Sequence, residues 1–200
     1  MSQVIISIGR ESGSGGLDIA HALAERFGLP LYDKSILQNA AKAKGVDVKP
    51  LEQYDEQPRS PLFYRSIRGI SSAPEDGVAQ MQFDLLRQHA EAGESFVVLG
   101  RCAEEVLADC DGLISIFVQA DLDFRIRRTP RPGTEALDFI RKQDRQRRVY
   151  HDQHCKGDWG DAQSYDLVIN SARLDIPGTV DVLEHYIRAR MAQQEAAAAL

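Results

Sequence analysis

The sequence predicts an α/β fold in which buried parallel strands alternate with helices. Four short, largely apolar runs lie at residues 4–8, 95–99, 113–118 and 165–170, each too short for a helix. Stretches with apolar residues at helical spacing separate them, for example Ile19, Leu23 and Phe27. This alternation is typical of a doubly wound parallel sheet. Ligands of such sheets bind beyond the carboxyl ends of the strands, so we search for a site there.

Length and composition limit the class of protein. Two hundred residues, 43% of them hydrophobic, are enough for one compact domain with a small insertion. No apolar run is long enough to span a bilayer and no signal peptide precedes the first strand, so we expect a cytoplasmic protein without a membrane partner. The three cysteines include no C-x-x-C pair, which is typical of a reducing compartment and argues against a zinc site.

The formal charge of −6 is unevenly distributed along the chain. Between Arg125 and Arg148 there are nine Lys and Arg residues and three acids. The rest of the chain is therefore strongly acidic. A basic segment in an acidic protein predicts a local anion site and no nucleic-acid surface.

The turn after the first strand is rich in glycine and serine. Five such residues follow Glu11 without a break, and a helical pattern begins directly after them. Glycines let backbone N–H groups converge on an anion, and a helix N-terminus adds partial positive charge. The alternative is a turn that only connects, although such turns need only about 2–6 residues. The predicted phosphate cradle comprises Arg10, Ser12, Gly13, Ser14, Gly15, Gly16, Leu17 and Asp18.

This cradle departs from the P-loop motif G-x-x-x-x-G-K-[ST], in which the lysine contacts the β- and γ-phosphates. With Gly15 as the second glycine, Arg10 stands at the first-glycine position and Gly16 at the lysine position. Arg10, or a cation from elsewhere in the chain, is expected to supply part of the missing charge. Asp18 is either a Mg²⁺ ligand or an acid favoured by the helix dipole, and we favour the dipole.

Five segments resemble the cytidylate kinase-like family, a branch of the P-loop nucleoside monophosphate kinases. They are R-E-S-G-S-G-G at 10–16, L-P-L-Y-D-K at 29–34, V-V-L-G-R-C-A at 97–103, D-R-Q-R-R at 144–148 and W-G-D-x-x-x-Y-D-L-V-I-N at 159–170. The resemblance implies a three-layer P-loop NTPase-type fold with a helical acceptor lobe at about 45–80 and a basic lid at about 130–156. We expect one domain over residues 1–191, followed by a tail or cloning scar at 192–200.

The resemblance implies transfer of the ATP γ-phosphoryl group to a nucleoside monophosphate, CMP or dCMP, with Mg²⁺. It implies that Arg101 and Asp33 bind the acceptor. The residues themselves leave two alternatives open, a surface arginine paired with Glu104 or Glu105, and a helix N-cap at Asp33. Two other functions also stay open. One is a catalytically silent nucleotide- or phosphate-binding module, and the other is a kinase for another small acceptor.

The basic segment near the end of the predicted lid supplies the candidate catalytic residues. By the resemblance, lid arginines neutralise the transferring phosphoryl group, with Arg141 and Arg147 as first candidates, then Arg145 and Arg148. Helical spacing places Arg141, Arg145 and Arg148 on one face and Arg147 off it. The alternative is a solvated basic face or one that binds a partner.

Three other residue types invite functional interpretations. His151, His154 and Cys155 are metal-ligand types without a second cluster nearby in sequence, so no metal is predicted. Trp159 either packs a loop onto the domain, which we favour, or stacks on a base. Cys102 is interpreted as core filling, since no histidine lies near it in sequence.

Overall fold

Five parallel strands form the main sheet of the computed structural model, which describes residues 3–33, 35–43, 45, 47–58, 66–67, 70–71 and 73–198. In chain order the strands are β1 (Ile5–Arg10), β2 (Leu31–Tyr32), β3 (Ser66–Ile67), β4 (Ile70–Ser71), β5 (Phe96–Leu99), β6 (Leu113–Gln119) and β7 (Leu167–Asn170). The main sheet has the order β2-β5-β1-β6-β7, and β3 and β4 form a separate antiparallel pair. The carboxyl ends of β1, β5 and β6 therefore lie side by side.

The helices cover both faces of this sheet. They are α1 (Gly16–Phe27), α2 (Ser35–Ala43), α3 (Pro74–Glu91), α4 (Ala103–Val106), α5 (Leu122–Arg127), α6 (Gly133–His154) and α7 (Asp175–Ala198). Apolar residues of α1 and α7 pack with Ile6 and Ile8 of β1, whereas α2, α3 and α4 pack with Ile5 on the opposite face. Successive side chains of a strand point to opposite faces, so β1 is buried on both sides and carries isoleucine on each of them. The result is the predicted three-layer architecture.

Several helix ends differ from the sequence prediction. Apolar residues at helical spacing predict a helix over about Val78 to Glu91, but α3 begins at Pro74, because proline fits the first helical position and acidic residues favour the first turn. The sequence also predicts a basic helix that Thr134 caps and that ends at about Tyr150. Thr134 instead lies inside α6, whose N-cap is Pro132, and this helix continues to His154.

The sequence alone leaves the character of two further segments open. The final helix continues through Ala198, so residues 192–198 are helical. A weak apolar pattern predicts a helical patch at residues 62–64, which lie outside the described residues. Where the chain is described, no helix is both long and apolar enough to cross a membrane.

Neighbouring residues on α7 provide a test of this packing. The Leu183 side chain is fully buried against the sheet, whereas Val182 is 43% exposed. We expect Leu183→Ala to lower the free energy of unfolding by about 2–5 kcal/mol, because it removes buried apolar contacts and leaves a cavity. Val182→Ala should change it by less than about 0.5 kcal/mol. Urea denaturation followed by circular dichroism measures both, and equal losses would contradict the placement of α7.

Candidate active site

The glycine-rich turn between β1 and α1 has a backbone that only glycine fits at two positions. Gly13 and Gly15 have φ angles of 80° and 81°, and Gly15 is the N-cap of α1. A Cβ on Gly13 would lie 2.7 Å from the carbonyl oxygen of Arg125, and one on Gly15 would collide with Ile176. The left-handed backbone and the close contacts at both positions require glycine, because glycine has no side chain. The turn therefore brings its backbone to the carboxyl edge of the sheet.

A buried arginine holds this turn from below. The Arg125 Nε donates a hydrogen bond of 2.7 Å to the carbonyl of Ser12, and its guanidinium pairs with Glu11 at 3.0 Å and with Asp144. Glu11 also accepts a hydrogen bond from the Ala120 N–H at 2.9 Å. Charge-assisted contacts of this kind fix a loop more firmly than neutral ones. The cradle is thus connected both to the end of β6 and to the long helix α6.

The contact with α6 uses an N–H group of the cradle itself. The Ser12 N–H donates to Asp144 Oδ1 at 2.7 Å. A carboxylate is the nearest side-chain equivalent of a phosphate oxygen. The loop therefore already shows that it can bind an anion through its backbone.

The glycine at the expected lysine position has a physical reason. A Cβ on Gly16 would lie 2.5 Å from the Cβ of Arg10. Real Cβ atoms do not approach so closely, so the Arg10 side chain leaves no room for a lysine at this backbone position. The positive charge must come from another part of the chain.

An arginine from α5 supplies a charge beside the cradle. Arg128 is the C-cap of α5, pairs with Asp18, and places its Nε 3.6 Å from the Cβ position of Gly15. It lines a crevice of about 560 Å³ beyond the strand ends, together with Arg10, Arg101 and Arg147. Four guanidinium groups therefore surround the glycine-rich turn.

A second cavity adjoins this crevice. Its volume is about 500 Å³, and Arg10 and Arg147 line both spaces. The rest of its lining is polar or acidic: Gln38, Glu52, Asp55, Glu56, Gln57, Gln143 and Gln146. Arg10 and Arg147 thus stand where the two cavities meet.

A buried carboxylate occupies the centre of the arginine cluster. Glu56 accepts two hydrogen bonds of 3.1 Å from Arg10, and its Oε1 lies 2.7 Å from Arg101 Nη1. Asp55 pairs with the other terminal nitrogen of Arg101 at 3.0 Å. Burial disfavours the charged form, but Arg10 and Arg101 outweigh it and hold the pKa of Glu56 well below its ordinary value. Glu56 also has a left-handed φ of 50°, which is strained for this residue type.

Arg147 completes the cluster from α6. Its Nη1 donates a long hydrogen bond of 3.5 Å to the carbonyl of Arg10. Burial, followed by repulsion from the Arg10 guanidinium, lowers the pKa of Arg147 to about 10. The side chain stays cationic at neutral pH but is poorly solvated, so an anion placed beside it would interact strongly.

Comparison with known proteins identifies the family. A model of the cytidylate kinase-like family matches residues 5–173, most of the chain. The chain belongs to the cytidylate kinase-like family. This cytidylate kinase-like protein is 26% identical over 183 residues to a cytidylate kinase of Archaeoglobus fulgidus, a match that covers 89% of this chain and 91% of the relative.

Solved structures show the same fold. A crystal structure of an uncharacterized protein from Eubacterium ventriosum is 34% identical, with a TM-score of 0.74 over 93% of this chain and 99% of the other. A shikimate kinase from Bacteroides thetaiotaomicron is similar at a TM-score of 0.56 and 16% identity, over 92% of this chain and 98% of the other. The second likeness concerns the fold alone. It confirms the P-loop kinase architecture of this cytidylate kinase-like protein.

Most of the predicted site residues meet at the crevice. The residues of the predicted set that line it are Arg10, Ser12, Gly13, Gly15, Gly16, Leu17, Asp18, Asp33, Arg101 and Arg147. Ser14 is buried beneath the turn, where its hydroxyl donates to the carbonyl of Glu11. The surface-arginine alternative for Arg101 is wrong, because its side chain is 1% exposed and pairs with Asp55 and Glu56.

Three of the four lid arginines are placed elsewhere. Arg141, Arg145 and Arg148 are exposed, and Arg148 covers the Trp159 ring at 5.4 Å. Trp159 itself packs edge-on against Phe117, with ring centroids 5.2 Å apart. Only Arg147 of the four lines the crevice. The shared face of the three arginines is the solvent face of α6, and the residue off that face points inward.

The structure adds Glu56, Arg125 and Arg128 to the site, none of which was predicted. The two arginines could have been predicted from the sequence. They lie three residues apart, on one face of a helix that follows β6 at the ligand-binding edge of the sheet. No local pattern marked Glu56, which lies in the segment that the resemblance assigns to the acceptor lobe.

The Glu56 contacts generate a prediction about anion binding. In phosphate-free buffer, Glu56→Gln should lower the free energy of unfolding by about 2–4 kcal/mol, because buried arginines lose their compensating charge. Inorganic phosphate should restore much of that loss by binding the freed guanidinium groups. Thermal unfolding across a phosphate titration measures the effect, with potassium chloride at matched ionic strength as the salt reference.

Glu25→Gln is the matched control, since Glu25 is an exposed carboxylate on α1 that lines neither cavity. It should unfold like the wild type and show the same small response to phosphate. A phosphate response of Glu56→Gln no larger than that of the control would show that Glu56 does not occupy an anion site.

Proposed function

We propose that this protein transfers the γ-phosphoryl group of ATP to a nucleoside monophosphate, CMP or dCMP. The observation that carries the proposal is the position of Arg10 and Arg147 between two cavities, one of which contains the glycine-rich turn. A donor phosphate and an acceptor phosphate placed in the two cavities would meet at these guanidinium groups. The family and the Archaeoglobus fulgidus relative support a cytidine nucleotide as acceptor.

The donor side fits the phosphates of ATP. The left-handed glycines and the start of α1 present backbone N–H groups, and Arg128 supplies the charge that the P-loop lysine would give. The carboxylates of Asp18 and Asp33 line the same crevice and are the oxygen ligands that Mg²⁺ prefers. Bound there, the ion would neutralise phosphate charge. Leu17, next to Gly16, offers no hydroxyl for it.

The acceptor side fits a nucleoside monophosphate. Its phosphate would replace the Glu56 carboxylate on Arg10 and Arg101, since two guanidinium groups that bind a carboxylate through paired hydrogen bonds also bind a phosphate. The amides of Gln38, Gln57 and Gln143 line the adjoining cavity. Each offers both a donor and an acceptor to the edge of a base. Asp33 lies beside Arg101, whose Nη2 donates to its carbonyl at 3.4 Å.

Phosphoryl transfer then depends on neutralising charge and on positioning the two phosphates more than on proton transfer. An oxygen of the acceptor phosphate is already a nucleophile, so no general base is required. Arg147, poorly solvated and adjacent to both cavities, would stabilise the charge that develops on the transferring phosphoryl group. Arg141, Arg145 and Arg148 are exposed and line neither cavity, so of the four predicted arginines Arg147 alone is assigned this role.

A phosphate-binding module without transfer is the second candidate. Gly16 at the lysine position favours this candidate. It is also favoured by Glu56 and Asp144, whose carboxylates accept hydrogen bonds from groups that could otherwise bind an anion. In that case the crevice would bind nucleotide without turnover.

A panel assay distinguishes the two candidates. The protein is incubated with ATP, Mg²⁺ and each of several monophosphates, and ADP formation is followed. We expect turnover with CMP or dCMP above all other acceptors. Retained ATP binding with no turnover on any acceptor would reject the kinase and support the binding module.

Two arginines of α6 make a matched pair in that assay. Arg147→Ala should lower kcat about 10³-fold, as removal of a transition-state arginine does. Arg141→Ala removes the same charge from the exposed face of the helix and should stay within about threefold of the wild type. An equal loss of activity in both variants would show that the position of Arg147 in the crevice does not explain its effect on catalysis.

Arg128 is tested on the donor side. Arg128→Ala should weaken ADP binding about tenfold or more, because a charge-assisted contact to phosphate contributes about 1.5–3 kcal/mol. Arg127→Ala is the control, since its side chain is the exposed neighbour on the same turn. Isothermal titration with ADP measures both affinities. Equal affinities for the two variants would exclude Arg128 as the substitute for the missing lysine.

A further inference from the structure

A cluster of metal-ligand side chains lies behind the arginine cluster, where α4 begins and α6 ends. A carboxylate oxygen of Glu104, a ring nitrogen of His151 and the Sγ of Cys155 are all within 4.8 Å of one another. The Nε2 of His151 lies 3.0 Å from the Oε1 of Glu104. A carboxylate, an imidazole and a thiol from two separate segments thus converge.

The cluster is enclosed in the protein. His151 is 3% exposed, the Glu104 side chain is 7% exposed, and Cys155 is partly buried. Glu104 and His151 also line a cavity of about 20 Å³, but Arg10, Arg101 and Arg147 line it as well and Cys155 does not. The ion would therefore lie between the three ligand atoms and not in this cavity.

We propose that Glu104, His151 and Cys155 bind a divalent transition-metal ion, zinc by ligand preference, with the fourth position open to a water molecule. Sulfur, imidazole nitrogen and carboxylate oxygen are the donor atoms of protein zinc sites, at bond lengths of about 2.0–2.3 Å. A tetrahedral ion then holds its ligand atoms about 3.3–3.7 Å apart. The observed spacings of 3.0 Å to 4.8 Å bracket that range, so shifts of about an ångström close the site.

Second contacts orient the carboxylate of this site. The Tyr165 hydroxyl donates to Glu104 Oε1 at 3.4 Å, and the Ser7 hydroxyl donates to Oε2 at 3.5 Å. Metal-ligating carboxylates are usually held by such outer hydrogen bonds. Glu104 and an ionised cysteine would also balance the two charges of the ion, which makes a buried cation acceptable.

The ion would connect two parts of the proposed kinase site without taking part in it. Cys102 directly follows Arg101, and both residues have left-handed φ angles, 62° and 50°, that need external support. His151 lies one helical turn beyond Arg147 on α6. A metal bound to both segments would fix the positions of the two arginines. The inference rests on the cluster alone and holds whether or not the protein transfers phosphate.

Cobalt substitution tests the site with a readout that is independent of activity. The full chain is purified under reducing conditions, stripped with a chelator and titrated with Co²⁺. We expect a thiolate-to-cobalt charge-transfer band in the near ultraviolet that saturates at one ion per chain and disappears on addition of Zn²⁺. A wild-type protein that shows no such band would overturn the proposal.

The cysteines provide the matched variants. Cys155→Ser should lose the charge-transfer band, whereas Cys110→Ser, which removes a thiol outside the cluster, should keep it. Zn²⁺ should raise the unfolding temperature of the wild type and of Cys110→Ser but not that of Cys155→Ser. If Cys155→Ser does not fold, His151→Gln replaces it and should weaken Co²⁺ binding at least tenfold. A band that survives the ligand substitution, or that Cys110→Ser also abolishes, would refute the assigned ligands.

Discussion

The structure depends on burying several guanidinium groups beyond the carboxyl ends of β1, β5 and β6. An arginine removed from water is costly unless a carboxylate compensates it. Two such systems lie side by side. Arg125 is matched by Glu11 and Asp144 beneath the glycine-rich turn, and Arg10 and Arg101 are matched by Glu56. The first fixes the cradle, and the second keeps the crevice charged.

These carboxylates come from segments that are distant along the chain. Glu56 belongs to the stretch between α2 and the β3–β4 pair, and Asp144 belongs to α6. Both therefore attach a peripheral segment to the central sheet through an ion pair. Under the proposed function, the same arginines would hold the protein together without a nucleotide and bind phosphate groups with one.

The missing P-loop lysine is part of this arrangement. Arg10 lies against the Cα of Gly16 and extends across the turn to Glu56, so its side chain occupies the space that a Cβ at position 16 would need. Arg128, from a different helix, then places its Nε 3.6 Å from the Cβ position of Gly15. Glycine in place of the motif's lysine is thus accompanied by two arginines, Arg10 and Arg128, whose positions the P-loop motif does not predict.

The parallel α/β fold, the glycine-rich turn at its edge and the family can be predicted from the sequence, because apolar periodicity and contiguous motifs are local. Which charges meet depends on how the helices pack in three dimensions. Arg147 faces the crevice because it lies seven residues after Ile140 and four before His151, two buried residues that set the rotation of α6. Its three arginine neighbours, which share a face of their own, point to solvent. Likewise, Glu104 and His151 are 47 positions apart, and Arg10 and Glu56 are 46 apart. Packing of helices against the sheet brings such pairs together, and no pattern within a single segment encodes it.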